Sequence, residues 1–160
     1  MNHIDKTGLM ERLAENYSSV SALLEGIDLD IPVYKDNDWR IRDIVGHISI
    51  WDRQVAKSLI AFKAGEDWSI PDFEEDAFNQ QQVLEGRKLN AQQVLSEWEQ
   101  ARKDFIATVQ AIPIDRFPGD VLYPWGDERG SITNLVQYMI DHDIEHRSEI
   151  EKAIQVSKVE

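Results

Sequence analysis

Apolar residues recur at three- and four-residue steps in four long stretches, the period of helices with one buried face. The first stretch carries Leu9, Leu13, Tyr17, Val20, Leu24 and Ile27. It predicts a helix over residues 6–27, closed by Gly26 and the segment running to Pro32. The second carries Ile41, Ile44, Val45, Ile48, Trp51, Val55, Leu59 and Phe62, predicting a helix over 39–64 that stops at Gly65. The third opens at Asn90, a good N-cap, with Gln93 in capping-box position. Val94, Leu95, Trp98, Ala101, Phe105, Val109 and Ile112 form its stripe, and Pro113 ends it. The fourth follows Gly130, with Ser131 as cap, and carries Ile132, Leu135, Val136, Met139, Ile140, Ile150 and Ile154. Fraying is expected over 157–160.

The connection over 65–89 is long enough to cross a bundle, with a short helix expected over 74–84. It suits second and third long helices that run parallel rather than as a hairpin. No strand-like alternation of useful length and no internal repeat is visible. The pattern reads as one all-α domain, a four-helix bundle over residues 1–156 with a tail over 157–160.

Composition narrows the picture. The chain has 160 residues, 42% hydrophobic and 29% charged, which are globular proportions. No apolar run approaches the roughly 20 residues a membrane span needs, and the first residues lack the blocks of a signal peptide. A cytoplasmic protein without a membrane partner is expected. There is no cysteine, which removes disulfides, thiolate ligands and a cysteine nucleophile. Any thiol chemistry would need a thiol brought from outside. The net charge of −13 and the scattered basic residues lead us to expect no nucleic-acid partner.

The chain holds four histidines. His3 lies near the terminus and reads as a bystander. His142 and His146 stand one helical turn apart. They fall in one stripe with Leu135, Met139, Ile150 and Ala153, so two imidazoles point where core side chains belong. His47 lies between Ile44 and Trp51 on the flank of the second apolar stripe. Two readings stand side by side: satisfied core histidines, or ligands converging on a divalent metal.

Trp39, Asp43 and the run Gly46, His47, Ile48 resemble the second-helix signature of the DinB/YfiT-like superfamily. His142, His146, Arg147 and Ile150 resemble its fourth-helix signature. The resemblance implies a DinB-like four-helix bundle of up-down-down-up topology, often a homodimer. It also implies a three-histidine metal site matched by His47, His142 and His146, with nickel or zinc as the usual metal. Some members use mycothiol or bacillithiol in isomerase or S-transferase reactions. Two further stretches, residues 7–13 with Asn16 and Tyr17, and residues 76–79, are similar to the colibactin self-protection branch.

Three neutral imidazoles would leave coordination positions open, as a catalytic site requires. Water there would become a nucleophile, and an external thiol would be held as thiolate. Asp52, Asp143 and Glu149 are candidates to orient the imidazoles. Trp125, Asn79 and Arg147 are candidates to meet a substrate, and Trp51 and Trp98 read as core. The expected function is a divalent-metal-binding protein acting as a thiol S-transferase or hydrolase on small electrophiles. The alternative is a non-catalytic stress or interaction protein in which the metal braces the bundle.

Overall fold

The computed structural model describes residues 5–159; His3 and Glu160 lie outside them. Helix α1 spans Lys6–Leu24 and is capped by the Asp5 carboxylate, which accepts from the Gly8 amide at 2.7 Å. It stops before Ile27 because Gly26 takes a left-handed conformation, with φ of 70°. Helix α2 spans Ile41–Lys63. It begins two residues later than the pattern predicts. The Arg40 amide donates to Asp43 at 2.9 Å, and the Trp39 carbonyl accepts from Val33, so the entry is held extended. Helix α3 spans Glu75–Gly86 within the long connection, with Glu74 capping Asp76 and Ala77. Helix α4 spans Ala91–Gln110, and Asn90 and Gln93 form the expected reciprocal cap. Helix α5 spans Ile132–Val159 with Ser131 capping Asn134, so residues 157–159 stay helical rather than fraying.

A two-residue antiparallel pair precedes α5: β1, Val121–Leu122, and β2, Arg129–Gly130. It is too short to leave an alternation in the sequence. The Tyr123 hydroxyl donates to the Ser131 carbonyl at 2.8 Å and ties the pair to the start of α5.

Two apolar clusters fix the helix directions. Ile41 and Ile44 of α2 share one cluster with Val94 and Trp98 at the start of α4. Leu24 of α1 and Ile154 of α5 join it from the ends of their helices. Val55 and Leu59 share the other with Phe105 and Val109, and with Leu9 and Leu135 near the starts of α1 and α5. Helices α2 and α4 therefore run parallel to each other and opposite to α1 and α5, which is up-down-down-up order. The segment carrying α3 returns the chain along the bundle between them. No described helix is long and apolar enough to cross a membrane.

Between the two apolar clusters lies a polar layer to which all four long helices contribute. Arg102 of α4 donates to Asp52 of α2 at 2.8 and 3.1 Å and to Asp143 of α5 at 2.9 and 3.0 Å. It also donates to the Leu13 carbonyl of α1 at 2.9 Å. Asn16 of α1 donates to Asp143 at 3.2 Å. Arg102, Asp52 and Asp143 are all buried.

Candidate metal centre

His47 on α2 and His142 and His146 on α5 meet one turn away from that polar layer. Their helices bring them together because His47 precedes Asp52, and His142 adjoins Asp143, on the two elements that Arg102 clamps. The His142 Nε2 atom stands 3.0 Å from the His47 Nε2 and 2.9 Å from the His146 Nε2. His47 and His146 are almost fully buried, at 9% and 8% exposure, and His142 is half-buried.

Burial keeps the rings neutral. The His47 pKa is held far below the ordinary imidazole value by burial and then by the neighbouring rings. The His146 pKa is lowered to about 3 by burial and by His142. Burial also lowers that of His142, while the charges of Asp143 and Glu145 pull the other way.

The donor set fits a divalent transition ion. One ring nitrogen carries either a proton or a lone pair, so at most one of the two contacts at His142 Nε2 becomes a linear hydrogen bond. Ligand nitrogens about 2.05 Å from one ion stand about 2.9 Å apart at a right angle and about 3.4 Å apart at the tetrahedral angle. The observed separations match three imidazoles on one side of an ion. The buried Nδ1 atoms of His142 and His146 have no hydrogen-bond partner. Glu149 Oε1 lies 3.0 Å from His146 Nδ1, but off the line of a ring N–H.

The three rings form the floor of a cleft of about 750 Å³. Trp39 packs against His47 with ring centroids 5.3 Å apart. Trp51, Phe73, Trp125 and Tyr138 line the walls, and Glu75, Asp76 and Glu145 lie along the rim. The Trp51 indole donates to Asn79 Oδ1 at 3.0 Å, and the Trp125 indole is held by Glu128.

Of the residues singled out from sequence, His47, His142, His146, Trp125 and Asn79 come together here. Asp52 and Asp143 do not touch the imidazoles. They are consumed by Arg102, a physical requirement once a guanidinium is buried between them. Arg147 lies outside the cleft, with its guanidinium 3.7 Å from Glu151 on the outer face of α5. Trp51 is buried as expected but also forms a cleft wall. Trp39, Tyr138 and the three rim acids were not anticipated. They become neighbours only through tertiary contact among α2, α3 and α5.

A four-helix bundle with a three-histidine cluster at the floor of a side cleft is the class that fold and site define. The family model described as DinB superfamily matches residues 9–150, and the chain belongs to that superfamily. Among solved structures, YfiT from Bacillus subtilis, described as a probable metal-dependent hydrolase with an unusual four-helix bundle topology, is similar with a TM-score of 0.79. The two are 16% identical over 99% of this chain and 90% of that one. The mycothiol-dependent maleylpyruvate isomerase is similar with a TM-score of 0.75 and 12% identity, over 91% of this chain and 60% of that one. The colibactin self-resistance protein ClbS, in complex with double-stranded DNA, has a TM-score of 0.75 and 13% identity, over 99% and 98%. No curated protein matches the chain by sequence.

The ClbS complex corrects one expectation. We expected no nucleic-acid partner from the charge of −13, yet a protein of this fold is seen bound to DNA. Net charge averages over the whole surface, whereas association depends on the local field at the contact. The charge balance is therefore no ground for excluding nucleic acid here.

Proposed function

We propose that the protein is a metal-dependent enzyme that delivers a nucleophile to a small electrophilic molecule, with hydrolysis as its reaction. The observation that carries this reading is the convergence of three neutral Nε2 atoms at the floor of an open cleft. A structural metal would be better served by a closed site. His47, His142 and His146 would hold the ion, nickel or zinc, from one side. A divalent ion bound there supplies Lewis acidity, lowering the pKa of a water or thiol nucleophile.

The chain's own residues do the rest. Glu149 stands behind His146, 3.0 Å from its Nδ1, where a small turn of the carboxylate would let it accept from that ring once an ion is bound. Trp51, Phe73 and Trp125 exclude water and hold the apolar part of a substrate against the floor. Asn79, whose carbonyl is taken by Trp51, keeps its amide N–H groups free to donate to a polar group on the substrate.

A second reading, transfer of a low-molecular-weight thiol to the electrophile, is favoured by one observation. A relative by fold is thiol-dependent, and with no cysteine in this chain the thiol would come from outside. The test has two stages. Elemental mass spectrometry on untagged protein is expected to find one transition ion per chain, lost in the His142→Ala/His146→Ala variant. Activated esters and epoxides are then offered with and without an added thiol. Turnover by the loaded protein without thiol supports hydrolysis, and turnover only with thiol supports transfer. A parent that takes up no metal from zinc or nickel would sink both.

A further inference from the structure

The cleft carries more than its floor. Beyond the imidazoles its lining is mostly aromatic rings and carboxylates, with the amides of Asn37, Asn79 and Gln80 and the Met139 thioether between them. None of the chain's 17 lysines and arginines lines it. We propose that this cleft selects an organic cation, a molecule with an ammonium or quaternary nitrogen on an apolar, flat body. The inference deepens the proposed function and rests on it only in taking the cleft as the place where substrate sits.

The first support is the arrangement of the rings. Trp51 and Trp125 stand edge to face with centroids 6.0 Å apart, and Trp125 and Tyr138 do so at 5.8 Å. Trp51 meets Phe73 in the same way at 5.8 Å. These rings all line the cleft, and in each edge-to-face pair one partner presents only its edge to the other, so ring faces are left uncovered within the pair. Ring faces carry the negative side of the quadrupole, which attracts cations and repels anions.

The second support is the state of the rim acids. Glu75, Asp76 and Glu145 are exposed and border the cleft. Among the described residues, none of them takes part in an ion pair. Their charge is therefore not cancelled by a neighbouring cation, and it stands at the edge of the cleft. That contrasts with Asp38, Asp67 and Glu97, each matched by an arginine. A dication on the three imidazoles would draw anions, and its charge belongs in the balance. Three carboxylates outweigh it in formal charge. Substrates bearing carboxylate or phosphate are disfavoured by the same field that gathers a cation.

Three molecules with a shared benzyl body and different charge test this: benzyltrimethylammonium, phenylethanol and phenylacetate. Each is titrated by calorimetry into metal-free and zinc-supplied protein at low ionic strength. The ammonium is expected to bind about ten-fold or more tightly than phenylacetate in both states, with phenylethanol between them. In Glu75→Gln/Asp76→Asn/Glu145→Gln protein the preference for the ammonium over the acid should shrink about three-fold or more, leaving the part that the ring faces supply. Unchanged phenylethanol affinity in that variant certifies an intact cleft. Phenylacetate equalling or exceeding the ammonium in either state would overturn the proposal. So would a preference left at full size by the triple substitution, or no binding of any of the three. Failure of zinc to load would count against the metal centre alone, because the metal-free comparison reads the charge preference independently.

Discussion

Two buried polar clusters share the middle of this bundle, one turn apart, and they differ in whether their bonding capacity is used up. Around Arg102, donors meet acceptors: two carboxylates, a backbone carbonyl and the Asn16 amide close the network. Around the histidines, ring nitrogens face one another at 2.9 and 3.0 Å, and two Nδ1 atoms go without partners. A saturated polar cluster needs nothing further and reads as architecture. An unsaturated one, with neutral lone pairs aimed at a common point, is built for something that arrives from outside. Burial alone does not separate the two, since both clusters are buried.

The largest effect should come from the saturated side. Arg102→Met strands Asp52 and Asp143 without their partner. Its unfolding free energy in urea should fall by about 3–5 kcal/mol. A loss under about 1 kcal/mol would mean that the layer carries little of the architecture. Next, His142→Ala/His146→Ala should leave a folded protein whose stability no longer responds to metal. The parent should gain about 4 kcal/mol at a thousand-fold excess of zinc over its dissociation constant, measured by thermal melts. Equal gains in both proteins would mean that zinc binds somewhere other than the histidine cluster.

A pH series sharpens the contrast further. Burial holds all three folded imidazole pKa values below the ordinary 6.5. Above pH 6.5 the rings are neutral in folded and unfolded chains alike, and pH makes no difference through them. Below it the unfolded chain takes up protons first, so the metal-free parent loses stability as pH falls toward the folded His146 value of about 3. Comparison with the double-alanine variant isolates this loss, at about 1.4 kcal/mol per pH unit for His146, with His142 adding in the same direction. Identical slopes in the two proteins would refute it. The smallest effect should be that of Glu149→Gln, which weakens the support behind His146. Zinc affinity is expected to drop about ten-fold, with little change in metal-free stability.

The apolar stripes made the four long helices legible, and Asn90 with Gln93 marked the start of α4 to the residue. Helix directions were not in the periodicity, which says which face is buried but not against which neighbour. The length of the 65–89 connection pointed to parallel second and third long helices, the resemblance supplied the full order, and the two apolar clusters account for it. His142 and His146 stood out because they occupy core register, and His47 because it lies on the flank of an apolar stripe. Arg102 occupies it too, four residues after Trp98 and three before Phe105. Ala101 beside it offered a bland alternative for the same face, and the layer went unseen. With Arg102 unplaced, Asp52 and Asp143 looked free to serve the histidines. The rim acids had no signal at all, since exposed carboxylates on α3 and α5 gain meaning only when the helices close around one space.

The up-down-down-up order has a mechanical consequence. The start of α1 and the end of α5 lie at opposite ends of the bundle. A pull applied between them along the axis would load α1 and α5 in shear. An antiparallel hairpin bundle pulled from one end peels open a layer at a time. Here the interlocked side chains must slide together, and the bonds of Arg102 to α1, α2 and α5 would bear the load at once.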